Sequence, residues 1–223
     1  VLIGNGVVAN VVLKKTLGSA AGWLTIVFGF GLAVVAGVFV AIACGSGDAH
    51  INPAVTLAFA ISSGDFSKFV PYLIAQVLGG IAGAVLVWIH FMPHWAETPD
   101  AGSKLACFST GPAIRNTATN IISEVIGTFL LVLIIASIVK TGPAPGLVPF
   151  LVGAAVWGIG SGLGGTTGFA INPARDLGPR IAHAILPIPG QGGSDFGYGF
   201  TVPVLGGLIG GALAGLFIKL AHL

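Results

Sequence analysis

The tetrapeptide Ile-Asn-Pro-Ala occurs twice in this chain, at residues 51–54 and 171–174, each time at the start of a short apolar stretch. Proline is favoured at the first position of a helix, where its missing N–H would have no intrahelical partner. The Asn before it is then the N-cap, whose side-chain oxygen accepts from the backbone N–H groups of the first turn. The two copies therefore predict two helices of one design, with a cap, a first residue and a small second residue: Asn52, Pro53 and Ala54 in one, Asn172, Pro173 and Ala174 in the other.

The composition places these helices in a membrane. Only 7% of the 223 residues are charged and 55% are hydrophobic, whereas soluble domains carry about 25% charged residues. A soluble chain of this size would lack the polar groups needed to cover its surface. The net charge of +2 is too small and too dispersed to indicate nucleic-acid binding. We therefore expect an all-α, multi-pass protein of the lipid bilayer.

Long apolar runs alternate with two short ones along the chain. Residues 1–13 are predicted to be the last part of a spanning helix whose start is missing from this sequence, and no signal peptide is expected. The stretches at 52–62 and 172–186 are too short to cross a bilayer, which takes about 20 helical residues, and fit re-entrant half-helices. The remaining runs predict five full spans, at 22–44, 69–92, 117–139, 147–165 and 200–221.

The order of these segments repeats. Two spans, a short Asn-Pro-Ala piece and a third span occur within about 1–92 and again within about 117–223. Because three spans is an odd number, the second half enters the membrane from the opposite side, and paired interrupted segments in inverted halves point to a central pore. The prediction is one channel domain over 1–223, with six spanning helices and two half-helices in an inverted repeat. The hydrophilic linker at about 93–116 is either a folded loop over a pore mouth or a tether.

The chemistry of such a pore follows from the two helix N-termini. Meeting at the bilayer centre, they gather the Asn amide donors and the positive ends of both helix dipoles, which oppose cations and protons. The residues leading into each half-helix must be non-helical, which is tolerated at membrane depth only in a packed or wet environment. The carbonyls of Ala49, Gly168 and Ala170 are therefore candidate acceptors along the pore. His50 lines the same passage or is an ordinary packed histidine.

The stretches "SGDAHINPAVTLAFA" and "GFAINPARDLGPR" resemble the two signature loops of the major intrinsic proteins, the family of aquaporins and glycerol facilitators. The resemblance covers the whole chain apart from the absent start. It implies a channel rather than an enzyme, with one pore in each protomer of a homotetramer in the cell membrane. It implies no cofactor, no metal and no catalytic residue.

The resemblance also implies a selectivity filter at four positions: Phe30, Gly160, Phe169 and Arg175. Water-specific members have a histidine where this chain has Gly160, so the place is expected to be empty and the filter wide. Two aromatic faces would hold the CH backbone of a polyol while Arg175 binds its hydroxyl groups. Glycerol and other small neutral solutes, with water, are the expected permeants, and Phe28 is the alternative to Phe30.

Two acidic residues and two other functions stay open at this point. The resemblance implies that Glu124 is structural and accepts backbone N–H groups of a signature loop, but a carboxylate within the membrane also suits a proton carrier. Asp176 either favours the positive end of its helix or widens the filter. A water-selective aquaporin is the nearer alternative to a glycerol channel. A proton-coupled secondary transporter, which also uses broken helices in inverted repeats, is the more distant one.

Overall fold

The computed structural model describes residues 1–144 and 146–223, and all regular secondary structure in these ranges is helical. The helices, labelled in chain order, are α1 Leu2–Val12, α2 Trp23–Ala43, α3 Pro53–Ser63, α4 Phe69–His90, α5 Met92–Glu97, α6 Ala101–Ala106, α7 Thr117–Thr141, α8 Leu147–Leu163, α9 Pro173–Ile185, α10 Phe196–Gly199 and α11 Leu205–Ala221. A π-helical segment, Phe200–Val204, joins α10 to α11 in one continuous helix.

Four helices are long and apolar enough to cross a membrane: α2, α4, α7 and the continuous helix Phe196–Ala221. The shorter apolar helices α1 and α8 complete six, and α3 and α9 are the two half-helices. The predicted fold class is confirmed. The last span, however, begins at Phe196 and not at residue 200, and its π-helical segment contains Pro203. A proline removes one backbone donor, which a local π turn accommodates without ending the helix.

Each half-helix lies in a groove formed by glycines of a spanning helix. Helix α3 packs on α11, and α9 packs on α4. A methyl group added at Gly211 of α11 would come within 2.5 Å of the Ala54 carbonyl oxygen. A methyl group at Gly80 of α4 would come within 2.8 Å of the Ala174 carbonyl oxygen. The alanine of each Asn-Pro-Ala motif therefore faces a glycine, which brings the half-helix against its neighbour.

The linker is a folded structure and not a tether. It contains α5 and α6, and it buries the side chains of Trp95 and Phe108 in an apolar cluster with Leu13 of the chain after α1. The Asn5 amide of α1 donates to the Phe108 carbonyl at 2.7 Å. Lys104 donates to the carbonyl of Pro189, in the loop after α9. These contacts fix the linker between the two halves of the chain.

Candidate functional site

The two Asn-Pro-Ala motifs form the helix caps that their sequence predicts. The Asn52 side-chain oxygen accepts from the backbone N–H of Ala54 at 2.9 Å. The Asn172 oxygen accepts from the backbone N–H groups of Ala174 and Arg175, both at 3.1 Å. In both helices proline occupies the first helical position. The caps turn each Asn amide group away from its own helix.

The two half-helices meet N-terminus to N-terminus through these amide groups. Asn52 donates to the carbonyl of Ile171 at 2.7 Å, and Asn172 donates to the carbonyl of Ile51 at 2.9 Å. Each asparagine thus binds the residue that precedes the other asparagine. One hydrogen of each NH2 group is used in this way, a pairing that the sequence analysis did not foresee. The second hydrogen of each group remains for a solute, since an amide carries two donors.

The backbone leading into each half-helix is strained. Ala49, Ile51, Phe169 and Ile171 have φ angles of 40–42°, in the left-handed region that costs a non-glycine residue about 1–2 kcal/mol. Gly168, with φ of 83°, adopts that region without this penalty. Alternating left-handed residues keep both segments out of a helix. Strain of this kind persists only where surrounding contacts hold it.

Glu124 of α7 provides such contacts for the second loop. One carboxylate oxygen accepts from the Thr167 hydroxyl at 2.6 Å and from the Ala170 N–H at 3.0 Å. The other oxygen accepts from the Ile171 N–H at 2.8 Å. The side chain is 1% exposed. Because both oxygens bind donors of the loop, the geometry favours the structural role over that of a proton carrier.

A narrow lumen of about 70 Å³ passes the junction of the half-helices. Apolar side chains line it at Val34, Val55, Leu131, Ile135, Val152 and Val156. The polar residues His50, Asn52, Asn172 and Arg175 line it as well, together with Ala170. His50 and Ile51 also line a vestibule of about 720 Å³, into which the lumen opens. The lumen has room for several water-sized groups.

Three of the four predicted filter residues contact one another at the far end of this lumen. The Arg175 guanidinium lies over the Phe30 ring, with its central carbon 4.5 Å from the ring centroid. The Phe30 and Phe169 rings meet edge to face, with centroids 5.6 Å apart. The Nη1 atom of Arg175 is buried and has no hydrogen-bond partner among the described residues. Phe28 is 45% exposed and packs on Trp157 instead, so Phe30 is the aromatic residue of this constriction.

Gly160 lies against the Phe169 ring, whereas an empty place beside Gly160 was expected from the sequence. A methyl group added there would lie 2.9 Å from two atoms of the Phe169 ring and 3.0 Å from Val27. The place beside Gly160 is therefore occupied by the Phe169 ring, and the expectation of an empty place is corrected. Trp23, which the sequence analysis did not select, donates to the Gly160 carbonyl at 3.2 Å and packs edge to face on Phe169. Nothing in the local sequence marks Trp23, because its partners lie far away in the chain.

Asp176 has a more specific partner than the helix dipole. Its side chain is fully buried, and it binds Arg180 one turn later, with Nε 2.8 Å from Oδ1. Its other oxygen accepts from the N–H and the hydroxyl of Thr110, both at 2.7 Å. The sequence analysis missed Thr110 and Arg180. The spacing of Asp176 and Arg180, four residues apart on a helix, was the available signal for the ion pair.

The wide vestibule carries a second polar cluster beside His50. The His50 ring is half-buried and stacks on Phe59 with centroids 5.3 Å apart. Asp48 accepts from the Lys68 ammonium and from the Tyr72 hydroxyl, each at 2.6 Å. Burial opposes ionisation, but the hydrogen bonds from Lys68 and Tyr72 outweigh it and hold the pKa of Asp48 well below its usual range. Asp48 is therefore a carboxylate at every physiological pH.

Two half-helices that meet at their N-termini around a lumen lined by apolar and polar residues, within six spanning helices, define a multi-pass membrane channel. The chain belongs to the major intrinsic protein family, whose model matches residues 1–218.

Relatives with known names share most of their length with this chain. A glycerol uptake facilitator protein of Streptococcus pneumoniae is 50% identical over 99% of this chain and 93% of its own length. A glycerol uptake facilitator protein of Bacillus subtilis is 51% identical over 99% of this chain and 80% of its own. Among solved structures, the aquaglyceroporin from Plasmodium falciparum is similar with a TM-score of 0.83 at 28% identity, over 98% of this chain and 89% of that one.

Proposed function

We propose that the protein is a passive channel for glycerol and other small neutral solutes, with water as a second permeant. The observation that carries this proposal is the constriction at Phe30, Phe169 and Arg175. It presents two aromatic rings beside a guanidinium whose Nη1 donor is unpaired within residues 1–144 and 146–223. A polyol has an apolar CH face and a line of hydroxyl groups, which match the rings and the guanidinium. The names of the two bacterial relatives and of the solved structure agree with this assignment.

The polar residues of the lumen provide hydrogen-bond partners for the hydroxyl groups of a polyol beyond the filter. We infer that the oxygen of a permeating hydroxyl accepts first from Arg175 and then from the second amide hydrogens of Asn172 and Asn52. The hydrogen of the same hydroxyl donates to backbone carbonyls such as that of Ala170. The apolar side chains of the lumen contact the CH groups of the solute along the same path. The two helix N-termini and Arg175 give the passage a positive potential, which disfavours protons and cations.

The residues needed for a water-selective channel or a proton-coupled transporter make contacts that disfavour those functions. A water-selective filter needs a polar side chain where Gly160 seats the Phe169 ring. A proton-coupled transporter needs an ionisable group free to bind a proton near the midplane, and Glu124 binds three donors of the second loop. His50 and Arg175 are the ionisable side chains among the described residues that line the lumen; arginine keeps its proton in proteins, and His50 lies where the lumen meets the vestibule. These contacts favour a passive channel.

The inverted arrangement of two halves, about 1–92 and 117–223, and a homotetramer in the cell membrane are parts of the same proposal. The packing of α3 on α11 and of α9 on α4 supports the two related halves. The mass of the purified protein in detergent, measured by light scattering, tests the oligomer. A particle of one protomer would contradict the tetramer and leave the pore assignment unaffected, since the lumen lies within one chain.

The test of conduction is light scattering from vesicles that contain the purified protein, after an osmotic step with glycerol. We expect shrinkage followed by fast re-swelling, a rate that does not saturate, and no effect of a pH gradient. A sucrose step should give shrinkage alone, and vesicles without protein should re-swell slowly. Flux that follows the pH gradient would favour the transporter. Fast water flux without glycerol flux would favour the water-selective alternative.

A further inference from the structure

The linker is tied to the filter at one residue, Thr110. Its N–H and its hydroxyl both donate to the same oxygen of Asp176, at 2.7 Å. Its carbonyl accepts from the Arg180 guanidinium at 2.8 Å. Thr110 is 6% exposed, and both charged partners are fully buried. One linker residue therefore makes three buried hydrogen bonds to the ion pair of α9.

These bonds lie next to two filter residues in the chain. Asp176 directly follows Arg175, whose Nη1 binds no acceptor in the described part of the chain. Gly168 directly precedes Phe169, and a methyl group added at Gly168 would lie 3.2 Å from the Thr110 Cβ and 3.3 Å from its methyl group. Thr110 thus binds the neighbour of the filter arginine and packs on the neighbour of the filter aromatic.

The remaining bonds of Arg180 make the attachment rigid. Its Nη1 donates to the carbonyls of Ser194 and Asp195 at 2.8 and 3.1 Å, and Nε and Nη2 both bind Asp176. The linker, the first turns of α9 and the loop after α9 are therefore joined through one guanidinium. Hydrogen bonds to buried charged groups are the stronger ones in proteins.

We propose that Thr110 is a positioning residue that determines specificity. Through Asp176 and Gly168 it fixes the separation of the Arg175 guanidinium from the Phe169 ring, and this separation limits the size of the solute. Thr110 touches no solute itself. The inference rests on the proposed function, because it assigns the size limit of that same filter.

The test compares two linker threonines that differ in their distance from the filter. Thr98 is 1% exposed, accepts from the Lys14 N–H and donates to the His94 carbonyl, both at 2.9 Å. Thr110→Val and Thr98→Val each replace a buried hydroxyl by a methyl group in the same linker. Thr110→Ser keeps the hydroxyl that binds Asp176. The readout is the ratio of glycerol flux to the flux of a four-carbon polyol in vesicles, with thermal stability measured in parallel.

We expect Thr110→Val to lower this ratio by at least about threefold, since a hydrogen bond to a buried charge shifts an equilibrium by about tenfold or more. Thr110→Ser should stay within about twofold of the wild type, and Thr98→Val should lower stability without changing the ratio. An unchanged ratio in Thr110→Val, or equal changes in both valine variants, would overturn the inference. If the wild type conducts no glycerol, the proposed function itself fails, which is a distinguishable result.

Discussion

The two half-helices share a design and differ in their charges. Both begin at a proline capped by asparagine, both face a glycine of a spanning helix, and each donates to the carbonyl before the other's motif. Helix α3 has no charged side chain, whereas α9 carries Arg175, Asp176 and Arg180. We therefore expect the shared features to build the lumen and the charged residues of one copy to add its selectivity.

The loops before the half-helices show the same contrast. Both contain left-handed residues at matching positions. The second loop is held by the buried Glu124, while the first carries Asp48 in an exposed cluster at the vestibule. Variants of the shared features and of the buried Glu124 should therefore affect folding, and variants of the charges that α9 adds should affect selectivity.

The largest effect is expected for Glu124→Ala, which leaves three buried donors of the second loop without an acceptor. Each such donor costs about 1–3 kcal/mol, so the total of about 3–9 kcal/mol is comparable with the whole free energy of unfolding of a typical fold, about 5–15 kcal/mol. We expect little or no monodisperse protein by size-exclusion chromatography. Glu97→Ala, which removes a partly exposed ion pair with Lys15, is the control and should purify normally. A Glu124→Ala protein of wild-type thermal stability would contradict the assigned role.

The next-largest effect is expected where each half-helix packs on a glycine of a spanning helix, and it tests whether these two contacts are equivalent. Gly211→Leu and Gly80→Leu each force a side chain against a half-helix carbonyl, and overpacking of this kind costs about 1–3 kcal/mol or more. We expect lower melting temperatures and lost glycerol flux in both variants. Gly158→Ala is the control, because its added methyl group meets no atom of the described residues within 4 Å beyond the adjacent part of its own helix. Loss of stability and glycerol flux in only one of the two leucine variants would show that the two half-helices do not depend equally on their glycine contacts.

Arg175→Val should change selectivity with little loss of folded protein. Valine is the residue at the corresponding place of the first motif, Val55, so the variant makes the two copies alike. Loss of a hydrogen bond from a charged group predicts about a tenfold fall in the ratio of glycerol flux to four-carbon polyol flux. Phe28→Ala, which alters an exposed aromatic that packs on Trp157, should leave the ratio unchanged. Equal ratios in Arg175→Val and the wild type would exclude Arg175 from the filter.

Gly160→His tests whether the position of the Phe169 ring depends on the space beside Gly160. The new side chain meets the Phe169 ring, so the single variant should lose conduction of glycerol and, to a smaller extent, of water. Gly160→His combined with Phe169→Ala provides the space, and we expect it to conduct water while excluding glycerol. Parallel swelling measurements with water and glycerol check this. A single variant that conducts both solutes normally would show that Phe169 does not depend on Gly160.

The smallest effect is expected at Asp48. Its folded pKa is lowered, so the stability it contributes is fully present above its unfolded pKa and is lost only as the pH falls through the lower folded value. Between about pH 8 and about pH 5 the carboxylate stays ionised. Asp48→Asn should therefore have the same pH profile of glycerol flux as its parent over this range when both proteins carry His50→Gln, which removes the neighbouring imidazole on which the charge of Asp48 acts. A profile that differs between the two proteins would contradict the low pKa of Asp48.

Local features of the sequence were sufficient for the fold. The paired Asn-Pro-Ala motifs, the apolar runs and the low charge predicted six spans and two half-helices because helix caps and membrane insertion depend on neighbouring residues. The start of the last helix was wrong by four residues, at residue 200 instead of Phe196. The motif also indicated Arg175, a charge that is costly within a membrane and therefore needs a function.

Contacts between distant residues could be found only in the tertiary structure. The pairing of each Asn amide with the opposite Ile carbonyl, the Phe169 ring over Gly160 and the bonds of Thr110 to Asp176 each join residues from separate parts of the chain. No local pattern encodes such a pair, because its geometry depends on how the helices pack. The sequence by itself thus determined that two capped half-helices exist in a membrane. Their packing decided which rings and charges form the constriction.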